Sequence, residues 1–149
     1  MELSRYNNPQ KIKIEGSNHP DFKNCEILYT LNRTLIFRNI AKIHNRKPFQ
    51  YIRLQMPERG IVPLAEIEFW NQSQQIKEEP LGGFAENIDR CFDSDLFTTI
   101  KNQKRGYYVG LNLGKPTIID RIVFYPKNDG NFVVPNNVYE LFYFDESWI

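Results

Sequence analysis

Apolar and polar residues alternate with a period of two along most of this chain. In "LAEIEFW" (64–70), Ala65, Ile67 and Phe69 fall on one side and Glu66 and Glu68 on the other, as in a strand with distinct faces. "YYVGLNL" (107–113) sets Tyr107, Val109, Leu111 and Leu113 against Tyr108, Gly110 and Asn112. "FQYIRLQM" (49–56), "TIIDRIVFY" (117–125) and "VYELFYF" (138–144) also read as strands, and "KIKIEG" (11–16), "EILYTL" (26–31) and "LIFRNIAKI" (35–43) give a weaker version. Turn-forming stretches separate these runs: "PERG", "LGKP" and "PKNDGN". Only "FAENIDRC" (84–91) has helical spacing, with Phe84, Ile88 and Cys91 at i, i+4 and i+7. Many short strands between turns and one short helix predict an all-β protein, a β-sandwich or jelly roll.

The segment 71–83, "NQSQQIKEEPLGG", breaks the pattern. It lacks aromatics, is rich in Gln and Glu, and ends in Pro and a Gly pair, which predicts a linker or long surface loop. The chain as a whole, 41% hydrophobic and 14% aromatic over 149 residues, is enough for a packed core. Nineteen basic residues against eighteen acidic leave a net charge of +1, which argues against a dedicated nucleic-acid binder. No apolar run reaches membrane-spanning length, and "MELSRYNNPQ" has no signal-peptide core, so the expectation is a chain without membrane insertion. Cys25 and Cys91 are too far apart for a paired zinc motif and read as free thiols, a disulfide being the alternative.

Catalytic signatures are missing. The sequence holds no GxSxG, HExxH, P-loop or GxGxxG pattern, and His19 and His44 have no partner nearby in sequence. Asp145 and Glu146 are adjacent, so on a strand they point to opposite faces and would not converge for glycosidase chemistry. The expectation is a protein that is not an enzyme. Arg53 and Glu66 read as a cross-strand pair.

The stretch "RCFDSDLFTTI" (90–100) is the best candidate for chemistry. An EF-hand starting at Asp93 would need Gly and Glu where Thr98 and Lys104 stand, so that motif is excluded. Asp93, Asp95 and the Thr98 hydroxyl remain a set of hard oxygen ligands suited to Ca²⁺. The alternative is a turn in which the aspartates cap their own backbone.

"CFDSDLFTT", "YYVGLNLGKPTIIDRIVFYPKNDGNF" and "YELFYFDESW" together resemble the discoidin family, also called coagulation factor 5/8 type C or galactose-binding-like domains. The likeness is greatest to tandem versions in glycan-associated Bacteroidota proteins. It implies a galactose-binding-like jelly-roll sandwich and a structural calcium held by the 93–98 loop. Ser94 stands where the family has Gly, and Asn112 where it has Asp. In the front half, "IKIEGSNHPDF" resembles the family strand that ends in Ser-Asn-Asp-Gly and "FQYIRLQ…LAEIEFW" resembles its closing strands, so the order is inverted. This implies two tandem pieces: residues 1–70 ending one sandwich, 71–83 a linker, and 84–149 beginning a second. One circularly permuted sandwich over 1–149 is the alternative.

The resemblance also implies a function, because discoidin-like modules bind sugars, phospholipid surfaces or proteins through loops at one end of the sandwich. In the loop "YPKNDGNFVVP", Lys127 occupies the position of a sugar-binding Arg and Asn131 lies near that of an Asn. Lys127, Asn128, Asp129, Asn131 and Phe132 form the expected ligand set, although an Asn-Asp-Gly turn alone would account for the composition. The expected function is a non-catalytic carbohydrate-binding module. Its partner would be a glycan or glycoconjugate, and it would be linked to neighbouring domains of a larger extracytoplasmic glycan-active or surface protein, periplasmic or at the cell surface. The alternative is a structural or protein-interaction β-sandwich with no sugar site.

Overall fold

A computed structural model describes residues 12–31, 35–44, 46–58, 63–127 and 138. Nine strands are present among them: β1 Lys13–Ser17, β2 Glu26–Thr30, β3 Asn39–Lys42, β4 Phe49–Gln55, β5 Leu64–Asn71, β6 Gln74–Ile76, β7 Glu79–Gly83, β8 Tyr108–Thr117 and β9 Arg121–Pro126. They form a five-stranded sheet, β2-β1-β4-β8-β7, and a four-stranded sheet, β3-β9-β5-β6. Every pairing is antiparallel. The architecture is all-β, as the period-two pattern predicts.

The alternating residues explain the core. Ile14, Ile52, Leu54, Val109 and Leu111 of the larger sheet meet Ala41, Leu64, Ile67, Phe69, Ile122 and Phe124 of the smaller one in a single buried cluster. Burying such side chains contributes about 1.5–3 kcal/mol each and supplies most of the stabilisation. Tyr107, one residue before β8, is 1% exposed and belongs to this core. The strand proposed at 138–144 lies outside the described residues apart from Val138.

Strands on either side of 71–83 hydrogen-bond to each other in both sheets. Arg53 of β4 lies opposite Gly110 of β8, and Ile67 of β5 lies opposite Phe124 of β9. The segment read as a linker carries the end of β5, then β6 and β7. Its composition has a structural reason. Among the described strands β6 and β7 lie at the sheet edges, where polar side chains face water and Pro80 can direct its missing N–H away from the ladder. Gln72, at φ 55°, turns β5 into β6.

The expected helix over 84–91 shrinks to a five-residue 3₁₀ turn, Ile88–Phe92. Phe84 (φ 60°) and Asn87 (φ 55°) both adopt left-handed backbone, which interrupts the α ladder at its start. The expected Arg53–Glu66 pair is also absent. Arg53 instead donates to Glu15 at 3.0 Å on the neighbouring β1, while Glu66 belongs to the other sheet. Nearest-neighbour strand pairing set that choice, and sequence distance had no part in it.

Candidate functional site

The residues 93–98 close into one compact turn. The Asp93 carboxylate accepts from the Asp95 amide at 2.9 Å and from the Thr98 hydroxyl, and the Asp95 carboxylate accepts from the Phe97 amide at 2.9 Å. The Asp95 carbonyl lies 3.1 Å from the same Thr98 hydroxyl and is an alternative acceptor for its single proton. Asp93, Asp95 and Thr98 are therefore brought together, each engaged in holding the turn. Ser94, standing where the resemblance places Gly, sits at φ 61°, the left-handed region that glycine enters without a Cβ penalty. Ser94→Gly is expected to raise the melting temperature by about 2–3 °C, the relieved strain exceeding the added freedom of the unfolded chain by roughly 0.5–1 kcal/mol. Thermal denaturation followed by circular dichroism checks it, and a lowered midpoint contradicts it.

Sequence reasoning missed Glu66. Alternation placed it on the polar side of β5, but the register shift between Leu64 and Glu66 and the cover of 92–94 leave it only 5% exposed. Its Oε2 has no hydrogen-bond partner. Burial, and then the neighbouring Asp93 charge, push its pKa up to about 8, with the Ser94 amide partly offsetting them. Burial would also raise Asp93, but hydrogen bonds, the Thr98 hydroxyl and Asp95 amide foremost, outweigh it and hold that carboxyl below its ordinary value. Two carboxyls from distant parts of the chain thus face each other, one carrying an unsatisfied buried oxygen. Among the described residues no cluster of three or more His, Cys, Asp or Glu that could hold a metal ion forms.

Cys91 lies under this site, fully buried, its thiol pushed above the ordinary range by burial and then by Glu66. Cys25 is exposed, and both cysteines are free thiols. His19 and His44 are exposed.

At the end of β9, Lys127 is exposed and donates its amide to the Pro63 carbonyl at 2.8 Å. Asn128, Asp129, Asn131 and Phe132 lie outside the described residues. Beside Lys127 is a group that the sequence did not single out. The Phe37 ring, 43% exposed, meets Tyr125 edge-on with centroids 5.7 Å apart, and Arg38 Nε donates to the Tyr125 hydroxyl at 3.1 Å. The pairing of β3 with β9 creates this cluster from positions 87 residues apart in sequence. Trp70 is half-buried, with the Arg121 guanidinium 4.7 Å from its ring, so its indole is used within the sheet.

The chain is thus a two-sheet β-sandwich with an acidic turn seated on a buried glutamate, and an aromatic–guanidinium cluster on the other sheet edge. No family model, curated protein or solved structure matches it.

Proposed function

We propose that this chain is a non-catalytic carbohydrate-binding module of the discoidin type, an accessory domain of a larger extracytoplasmic glycan-active or surface protein. The observation that carries the sugar reading is the cluster of Phe37, Arg38 and Tyr125 at the start of the Lys127 loop. A sugar needs a planar apolar group against its C–H face and fixed donors for its hydroxyls. The Phe37 ring offers the first. Arg38, pinned through Nε by the Tyr125 hydroxyl, offers a planar fork of donors that Lys127 alone would lack. Lys127, Asn128, Asp129, Asn131 and Phe132 complete the proposed ligand set.

We also propose that the sandwich is a single circularly permuted jelly roll. In support, strands of β1–β5 pair directly with strands of β7–β9 in both sheets, β9 lies between β3 and β5, and all share one core. Asp93, Thr98 and Glu66, with the backbone carbonyls of the turn and Asp95 shaping it, would hold a structural Ca²⁺. The two opposed carboxyls and the orphaned Glu66 oxygen suit a hard divalent cation. Such an ion would neutralise the pair and brace the turn.

A glycan array probed with the purified chain tests the function. Selective binding is expected to weaken at least tenfold in the Lys127→Ala/Asn131→Ala variant and in Arg38→Ala, a loss of about 1.4 kcal/mol or more in each. No selective hit from a folded sample removes the sugar reading and leaves a structural or protein-interaction sandwich.

A further inference from the structure

The outer face of the five-stranded sheet carries an open groove of about 1080 Å³ that the loop site does not use. Its floor is the Glu15–Arg53 pair and Gln55, and its rim is Lys13, Glu58, Phe84 and Arg105. The floor is rigid. Arg53 is held by Glu15 at 3.0 Å and packed between the rings of Phe22 (4.0 Å) and Tyr108 (4.6 Å). Gln55 donates through Nε2 to the Gly106 carbonyl at 2.7 Å, which leaves its amide oxygen as an acceptor.

Phe84 is the unusual member. Its ring is 64% exposed, yet its backbone sits at φ 60°, a region in which a bulky residue is an outlier. Glycine or asparagine would suit that backbone better, and the core gains little from so exposed a ring. Around it, Lys13, Arg105 and Glu58 make no ion pair among the described residues. The groove therefore combines one exposed aromatic plane with separated donors and acceptors on a fixed floor.

We propose that this groove is a second glycan-binding surface, taking a stretch of neutral polysaccharide. The Phe84 ring stacks on the apolar face of one sugar. Arg105 and Lys13 donate to hydroxyls, and Glu58 and the Gln55 oxygen accept from them. Glu15 and Glu58 nearly balance the three cations, which disfavours a phosphate-rich or sulfated ligand. The charged floor disfavours a protein hot spot, which needs a desolvated apolar centre. The proposal rests on the chain being a glycan binder, but the site is separate from the loop.

The test is amide-resolved NMR titration of the whole chain with neutral hexasaccharides of β-1,4-glucan, β-1,4-mannan and β-1,4-galactan, and with heparin as the acidic control. One neutral hexasaccharide is expected to shift the amides around 84 and 104–106, and to do so equally in Lys127→Ala/Asn131→Ala. Phe84→Ala and Arg105→Ala, checked as folded by their spectra, should each weaken that binding at least tenfold, and Phe84→Trp should retain it. Shifts confined to the 126–133 loop, or unchanged groove binding in Phe84→Ala, overturn the groove and leave the loop reading standing. Groove shifts with heparin alone overturn the neutral class. No response to any saccharide overturns both sites.

Discussion

Calcium added to EDTA-treated protein is expected to raise its melting temperature by about 5–10 °C at pH 8 and by much less at pH 5.5. The size follows from ligand linkage, since a hundredfold excess over Kd stabilises the folded state by about 2.7 kcal/mol. The pH dependence follows from Glu66. Its folded-state pKa of about 8 lies above the ordinary 4.5, so the folded protein holds this proton more tightly than the unfolded chain. In the metal-free protein, stability from this group is therefore full below about 4.5 and is lost as pH rises to about 8. Calcium replaces the proton, so its effect grows across the same window.

Glu66→Gln separates the cause from coincidence. It keeps the shape of the side chain but removes the buried charge, so the metal-free variant should melt higher than the parent at pH 8. It should also lose most of its calcium response. A parent protein indifferent to calcium at pH 8 removes the metal reading and leaves 93–98 as a self-capped turn. A calcium response unchanged in Glu66→Gln would place the ion away from the buried carboxyl.

Gly110→Val is expected to be the most damaging single substitution in the sheet, costing about 3 kcal/mol or more and lowering the midpoint by roughly 10 °C. A Cβ at Gly110 would lie 2.0 Å from the Ile52 carbonyl oxygen and 2.7 Å from the Arg53 Cα, both backbone atoms of β4. Neither can rotate away, so the β4–β8 pairing at the middle of the larger sheet must open. Arg53 would shift as well, because its Cβ lies 2.9 Å from the same point. Gly110→Ala should show most of the effect, since the first carbon already makes the clash. Chemical denaturation with both variants checks this, and a loss under 1 kcal/mol would show that the strands move apart easily. Because Arg53 also forms the floor of the groove, the variants that remain folded should lose neutral-glycan shifts around 104–106.

The β5 strand shows where local pattern stops being informative. Its alternation identifies a strand and assigns Ile67 and Phe69 correctly to the core. Side-chain direction along a strand is a local property, set by backbone pleating. What covers each face is not local. Glu66 is buried because 92–94 returns over it, which no window around 66 could reveal. The segment 71–83 shows the converse: polarity and Pro suggested a loop, and these are also the properties that edge strands tolerate.

The all-β class and most strand positions were legible in the chain's own alternation, because side-chain direction along a strand depends on neighbours within a few residues. Only the tertiary structure decided that both halves share one core, that Glu66 faces Asp93, that Arg38 and Phe37 join Tyr125 beside Lys127, and that Phe84 overlooks a groove. Those juxtapositions arise from strand order and register, where residues distant in sequence meet because the sheets bury the most apolar surface that way.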